Sequence, residues 1–131
     1  MSPVNDTLRI GPAENAFAQI VWDYAPVSSG ELVKICKERL LWAKSTTYTV
    51  LRRLCEKGIF RNEDGMVAVL ISREAFQEAQ SELVVAESFR GSLPAFIAAF
   101  TARKKLSQEE IEQIRRMIED AGEESPKGGR S

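Results

Sequence analysis

The sequence predicts a mainly α-helical protein with one small β-hairpin, and three observations support that expectation. Apolar residues recur every three or four positions in stretches separated by turn-forming residues, the mark of amphipathic helices. One tetrapeptide, Asn62-Glu63-Asp64-Gly65, lies between two short apolar runs, as a hairpin requires. Three helical patterns precede the hairpin and three follow it. Helix, helix, helix, hairpin is the outline of a winged helix-turn-helix domain, here with a helical region behind it.

The first helix is expected from about Pro12 to Tyr24, because Pro12 suits a first helical turn and Ala13, Phe17, Ile20, Val21 and Tyr24 share one stripe. The segment Ala25-Pro26-Val27-Ser28 breaks that pattern. Ser28-Ser29-Gly30-Glu31 then has the spacing of a capping box, opening a second helix whose stripe runs through Leu32, Ile35, Cys36, Arg39 and Leu40. A third helix runs from Lys44 to Lys57 and stops at Gly58, a residue suited to the left-handed turn after a helix. Ile59-Phe60-Arg61 and Met66 to Ile71 form the hairpin strands. Ser72 is a good N-cap for a fourth helix reaching about Arg90, where Gly91-Ser92 interrupts it. Leu93 to Lys105 makes a fifth, strongly apolar helix. Ser107-Gln108-Glu109-Glu110 is a second capping box, and Ile111, Ile114, Ile118 and Ala121 line one face of a sixth helix. The polar, glycine-bearing end is expected to be disordered. The expected organisation is a winged-helix domain over residues 1–71, a helical dimerisation region over 72–121 and a tail over 122–131.

Composition narrows the function. With 131 residues, 44% of them hydrophobic and 28% charged, the chain can build one compact domain and a smaller element. No run of eighteen apolar residues occurs, and the N-terminal stretch lacks the basic and apolar segments of a signal peptide, so a cytoplasmic protein with no direct membrane binding is expected. In that compartment Cys36 and Cys55 are expected as thiols, a disulfide being the alternative. Histidine is absent, which removes the commonest general base and a common metal ligand. No phosphate-binding glycine loop or activated nucleophile is recognisable, and the glutamates near the end read as a solvated helix face. No enzyme activity, cofactor or metal is expected.

The formal net charge of −1 conceals a concentration of cations. Lys34, Lys37, Arg39, Lys44, Arg52, Arg53, Lys57 and Arg61 face only Glu38 and Glu56 within residues 34–61, and the flanking segments are acidic. Such a local patch suits a polyanion. On a helical wheel of the third helix, Thr47, Val50, Leu51 and Leu54 share one face. Ser45, Tyr48, Thr49, Arg52 and Glu56 fall opposite, flanked by Thr46 and Arg53. Hydroxyls and guanidinium groups bind phosphates and base edges in a major groove. The pattern alone fits equally an exposed polar face with no special role. Its position directly before the hairpin is what favours a recognition helix.

These segments resemble the penicillinase-repressor family of bacterial winged-helix repressors. The resemblance is strongest in WAKSTTYTVLRRLCEKG and continues through LISREAFQEAQSE, ESFRGSLPAFIAAF and KKLSQEEIEQIRRMIED, over about residues 9–121. It implies a homodimer whose N-terminal domain binds operator DNA and whose C-terminal helices pair. It also implies repression of β-lactam-resistance genes, relieved when a membrane sensor protease triggers cleavage. Lys44, Ser45, Thr46, Tyr48, Thr49 and Arg52 match the family's DNA-facing helix. Three positions depart from the pattern. Ala43 stands where a serine usually caps that helix, so the cap is either weaker or moved to Ser45. The wing carries Glu63 and Asp64 in place of basic and aromatic residues, which makes wing contacts to phosphate minor. Ala99-Phe100 stands where the family has an Asn-Phe cleavage junction. Copper-responsive relatives carry clustered C-terminal cysteines; none follows Cys55 here.

The apolar residues after position 83 are too many for three short helices to bury alone, so Phe89, Leu93, Phe96, Ile97, Phe100, Ile111, Ile114 and Ile118 are expected to meet a second copy. Packing against the winged domain is the alternative. Two function classes remain open from sequence: a dimeric repressor reading an inverted repeat in double-stranded DNA, or a winged-helix module that binds protein. Salt dependence of DNA binding separates them.

Overall fold

A computed structural model describes residues 8–122. The elements in chain order are α1 (Pro12–Tyr24), β1 (Val27–Ser28), α2 (Ser29–Leu40), α3 (Lys44–Glu56), β2 (Phe60–Glu63), β3 (Met66–Val69), α4 (Arg73–Ser88), α5 (Leu93–Arg103) and α6 (Gln108–Ala121). The winged helix and the helical region behind it are both present. By contacts the chain divides after Gly91 into two compact units, so α4 packs with the winged unit. Apart from Gly122, the expected disordered tail lies outside the described residues.

Local chemistry sets the helix ends. Pro12 opens α1, and the Glu14 carboxylate accepts the Gly11 N–H at 2.9 Å. Ser28 Oγ accepts the Glu31 N–H at 3.0 Å, which is one half of the expected capping box. Ser72 does the same for Ala75 at the start of α4. At α6 the full reciprocal box forms between Ser107 and Glu110. Helix α3 ends in a Schellman motif: Ile59 N–H donates to Leu54 O and Gly58 N–H to Cys55 O, each at 3.0 Å. Gly58 takes the φ of +80° that this motif requires. The corresponding position after α2 is Leu41, at φ +59° and 87% exposed.

The sheet holds one strand more than the hairpin expected from sequence. β1 pairs antiparallel with β3, Val27 opposite Val67 and Ser28 opposite Met66, giving the order β1-β3-β2. The hairpin turn is also tighter than the expected tetrapeptide. β2 runs through Glu63, leaving Asp64 and Gly65 as a two-residue turn with φ of +52° and +85°. Both values suit the primed turn whose twist matches a hairpin. Asn62 Oδ1 accepts the Gly65 N–H at 3.1 Å.

One hydrophobic core gathers α1, α2, α3, the sheet and α4. Phe17, Val21, Leu32, Leu51, Leu54, Ile59, Phe60 and Val67 are fully buried, with Phe76 of α4 beside them. Each such side chain contributes about 1.5–3 kcal/mol of transfer free energy. Trp42, in the turn between α2 and α3, stacks on Phe17 at 6.0 Å between ring centres. Trp22 sits between Phe60 and Phe76, and its Nε1–H donates to Ile71 O at 3.0 Å. Tyr24 and Arg39, placed in the stripes by spacing, are instead exposed; Arg39 donates to the Tyr24 hydroxyl at 2.7 Å.

The second unit differs in kind. Neither α5 nor α6 buries a residue. Phe96 and Phe100 approach at 6.4 Å between ring centres, and with Ile97, Leu106, Ile114 and Ile118 they line an apolar hollow of about 260 Å³. No single helix among the described residues is long and apolar enough to cross a membrane.

The two left-handed positions after α2 and α3 should respond oppositely to substitution. At Gly58 a Cβ would meet nothing within 4 Å, so Gly58→Ala should cost about 1 kcal/mol from backbone conformation alone. Leu41→Gly relieves the same conformation and loses no packing, so it should stabilise by about 0.5–1 kcal/mol. Urea denaturation measures both, and two changes of the same sign would contradict this account.

Candidate nucleic-acid interface

Helix α3 is held by its apolar face. Thr47, Val50, Leu51 and Leu54 are buried in the core. A 3.6-residue period then forces the positions between them outward. Lys44, Ser45, Thr46, Arg52 and Arg53 are exposed, whereas Tyr48 and Thr49 are half-buried. The structure thus leaves five of the seven expected residues exposed, with the Glu56 carboxylate exposed among them, while Thr49 is half-buried and Tyr48 packs against the edge of the core.

The helix begins at Lys44 with Ala43 as N-cap and no side-chain acceptor there. The cap does not move to Ser45. One backbone bond, Thr47 N–H to Ala43 O at 3.2 Å, closes the first turn, and the remaining N–H groups of that turn have no side-chain cap.

Tyr48 plays a part that spacing did not show. Its hydroxyl lies 3.2 Å from Ser29 Oγ on the first turn of α2, and the Ser29 N–H donates to Gly65 O at 2.8 Å in the wing turn. Tyr48 therefore ties α3 to α2 and, through Ser29, to the wing. Ser29 stood out in the sequence only as part of a capping motif. Between α3 and the wing lies a hollow of about 250 Å³ lined by Tyr48, Leu51, Arg52, Cys55 and Asn62. Asn62, read from sequence as a turn residue, forms the wing side of it.

The eight cations of residues 34–61 are not equally available. Lys57 Nζ donates to Arg9 O at 2.6 Å, Arg39 is bound to Tyr24, and Arg61 lies 3.4 Å from the Glu63 carboxylate. Among the described residues, Lys34, Lys37, Lys44, Arg52 and Arg53 have no carboxylate partner, and all are exposed. Internal pairing therefore withdraws charge from the wing and leaves it on α2 and α3.

Both cysteines are free thiols. Burial pushes the Cys36 thiol up from its ordinary value, and the Thr47 hydroxyl beside it opposes the shift. That hydroxyl is itself buried and meets no other hydrogen-bond partner among the described residues. Cys55 is raised as well, chiefly by burial, with the Asn62 backbone opposing and the Glu56 charge adding. Both remain protonated near neutral pH, so neither is an activated thiolate.

A family model described as penicillinase repressor matches residues 10–120. The chain is similar to the penicillinase repressor of Bacillus licheniformis, 25% identical over 116 residues covering 86% of this chain and 91% of that one. It is equally similar to the methicillin resistance regulatory protein MecI of Staphylococcus aureus (strain Mu50 / ATCC 700699), 25% identical over 118 residues covering 87% and 96%. MecI of Mammaliicoccus sciuri matches with the same identity and coverage.

The uncapped start of α3 generates a direct test. Ala43→Ser supplies the missing acceptor and should raise stability by about 1 kcal/mol, measured as the shift in the urea midpoint at constant slope. A neutral or lower midpoint would mean that the first turn of α3 is satisfied in another way.

Proposed function

The chain belongs to the penicillinase repressor family, whose model spans residues 10–120, and on that premise we propose that it is a dimeric, sequence-specific DNA-binding repressor acting in the cytoplasm. The observation that carries this reading is the two-sided α3, with Thr47, Val50, Leu51 and Leu54 buried while Lys44, Ser45, Thr46, Arg52 and Arg53 are exposed. Arg52 lies mid-helix, where a guanidinium reaches a base edge, and Lys44 lies at the helix start, where an ammonium meets phosphate. Tyr48 extends the face towards the wing and also holds α3 in place, and Thr49 continues the polar face beside it. The wing, with Arg61 paired to Glu63 and Asp64 at its tip, adds little attraction for phosphate.

Pairing of two copies through α5 and α6 completes the reading. Leu93, Ile97, Phe100 and Ile118 are exposed, and Phe89, Phe96, Ile111 and Ile114 are half-buried. A second copy is the partner whose apolar surface matches by construction. Two winged units related by a twofold axis would read an inverted repeat in double-stranded DNA. Two relatives are named for repression of penicillinase and regulation of methicillin resistance, which supports resistance genes as targets. Release follows from Ala99-Phe100, which lies within α5. A membrane sensor system that led to cutting there would remove α6 and the rest of the hollow from the DNA-binding unit. A winged-helix module for protein partners is the other outcome of the tests below.

Arg52→Ala should cost about 1–3 kcal/mol in operator affinity and relax preference at one base pair. Lys44→Ala should weaken binding to all sequences alike and lower the salt slope by about 1. Gel shifts over a salt series read both. Binding that ignores salt, or variants that shift DNA like the parent, would sink the DNA reading and favour a protein partner.

Ile114→Glu places a carboxylate against the apolar hollow. It should convert a dimer to monomer by light scattering and lower affinity for the inverted repeat by about 10²–10⁴, the gain that linked half-sites provide. Cutting at Ala99-Phe100, identified by intact mass in β-lactam-stressed cells, should have the same effect. A parent protein already monomeric at micromolar concentration, or derepression with only the full-length mass present, would remove dimerisation or cleavage respectively from the reading.

A further inference from the structure

The acidic wing presents two unlike faces. Along β2 successive side chains alternate between the faces of the sheet, and each shares its face with the β3 residue opposite. Arg61 and Glu63 stand opposite Ala68 and Met66, so the ion pair between them lies on the outer face. Asn62 stands opposite Val67, which is fully buried, so its side chain leaves the strand on the inner face, next to α3. The sheet itself therefore lies between the Glu63 carboxylate and α3.

Two contacts fix Asn62 there. Its main chain bonds the Cys55 thiol on α3, and its Oδ1 accepts the Gly65 N–H at 3.1 Å. With Oδ1 accepting, the amide has one orientation, and Nδ2 keeps its donors for another partner. No group among the described residues accepts from Nδ2, and Asn62 is exposed. It shares the hollow of about 250 Å³ with Tyr48, Leu51, Arg52 and Cys55. Arg52 is the only charged residue of that lining, so the hollow favours an anion, with amide donors facing the cation from the wing side. A phosphodiester, an anion with exposed accepting oxygens, suits such a seat.

On the reading of the protein as a DNA-binding repressor, we infer that Asn62 is a further DNA contact, whose Nδ2 holds one backbone phosphate in the hollow between α3 and the wing. With α3 in the major groove, the strand that borders the groove runs beside the helix, where the hollow opens. Side-chain amides donate to phosphate oxygens and so set the register of the strand, without adding charge. An acidic wing thus touches DNA through a neutral donor on the face away from Glu63.

The test uses the full chain and an inverted-repeat duplex selected from randomised DNA by the wild-type protein. Asn62→Asp keeps an acceptor for the Gly65 N–H and exchanges the Nδ2 donors for a carboxylate oxygen, so the turn survives while the seat becomes repulsive. It should weaken binding to every sequence by about tenfold or more, with base preference unchanged. A merely structural loss would be blind to the charge of any single phosphate. Duplexes in which one phosphodiester at a time becomes a neutral methylphosphonate supply that readout. At one linkage in each half-site wild type should lose about tenfold, whereas Asn62→Asp should bind the neutral duplex as well as the charged one or better. The contrast should persist in an Arg52→Ala background, where the new carboxylate has no guanidinium beside it. Binding by Asn62→Asp that equals wild type, a linkage series in which the two proteins never differ, or a contrast that vanishes without Arg52 overturns the inference alone. A wild-type protein that selects no duplex overturns the DNA-binding reading, and this inference falls with it.

Discussion

The arrangement of the first unit depends on the indole of Trp22. Its edges meet Phe60 from the sheet and Phe76 from α4, and its N–H is satisfied by the carbonyl of Ile71. A tryptophan suits this position because it offers a large apolar body together with one donor that must find a partner when buried. The donor fixes the ring's orientation, and the ring fixes how closely α1, the wing base and α4 approach. Helix α3 and the wing are both packed onto that frame, so the separation between them is settled by contacts far from any face they offer to a ligand.

How much of this was readable in advance follows from how local each interaction is. Ser28, Ser72 and Ser107 mark helix starts through bonds three residues away, and Gly58 marks a helix end through its own backbone. Those signals survive in sequence. β1 did not, because a strand of two residues has no period, and it exists only since β3 offers it an edge. The turn came out shorter than expected for a similar reason: pairing with Met66 pulled Glu63 into the strand.

The same division applies to the candidate site. The two faces of α3 follow from helical spacing, so the exposure of Lys44, Arg52 and Arg53 was legible. The Tyr48–Ser29 bond joins residues 19 apart and the Arg73–Asp23 pair residues 50 apart. Neither has a pattern along the chain. Charge shows the effect plainly. Sequence assigns eight cations to one segment, but tertiary contacts tie Arg39 to Tyr24 and Lys57 to the Arg9 carbonyl, while Arg61 pairs with Glu63 within its own strand, and the unpaired charge is narrower than the segment.

The second unit carries a further consequence. Helices of 11 and 14 residues are marginal in water without tertiary support, and α5 and α6 bury no residue of their own. Their order must draw on a covering surface, and anything that binds only the folded form stabilises it by mass action. If the cover is another copy of the chain, the lifetime of each molecule depends on how many others are present. Dilute chains would expose an apolar, easily opened segment to degradation and be cleared, whereas abundant chains would protect one another. Turnover would then sharpen the boundary between a cell with enough of this protein and one without.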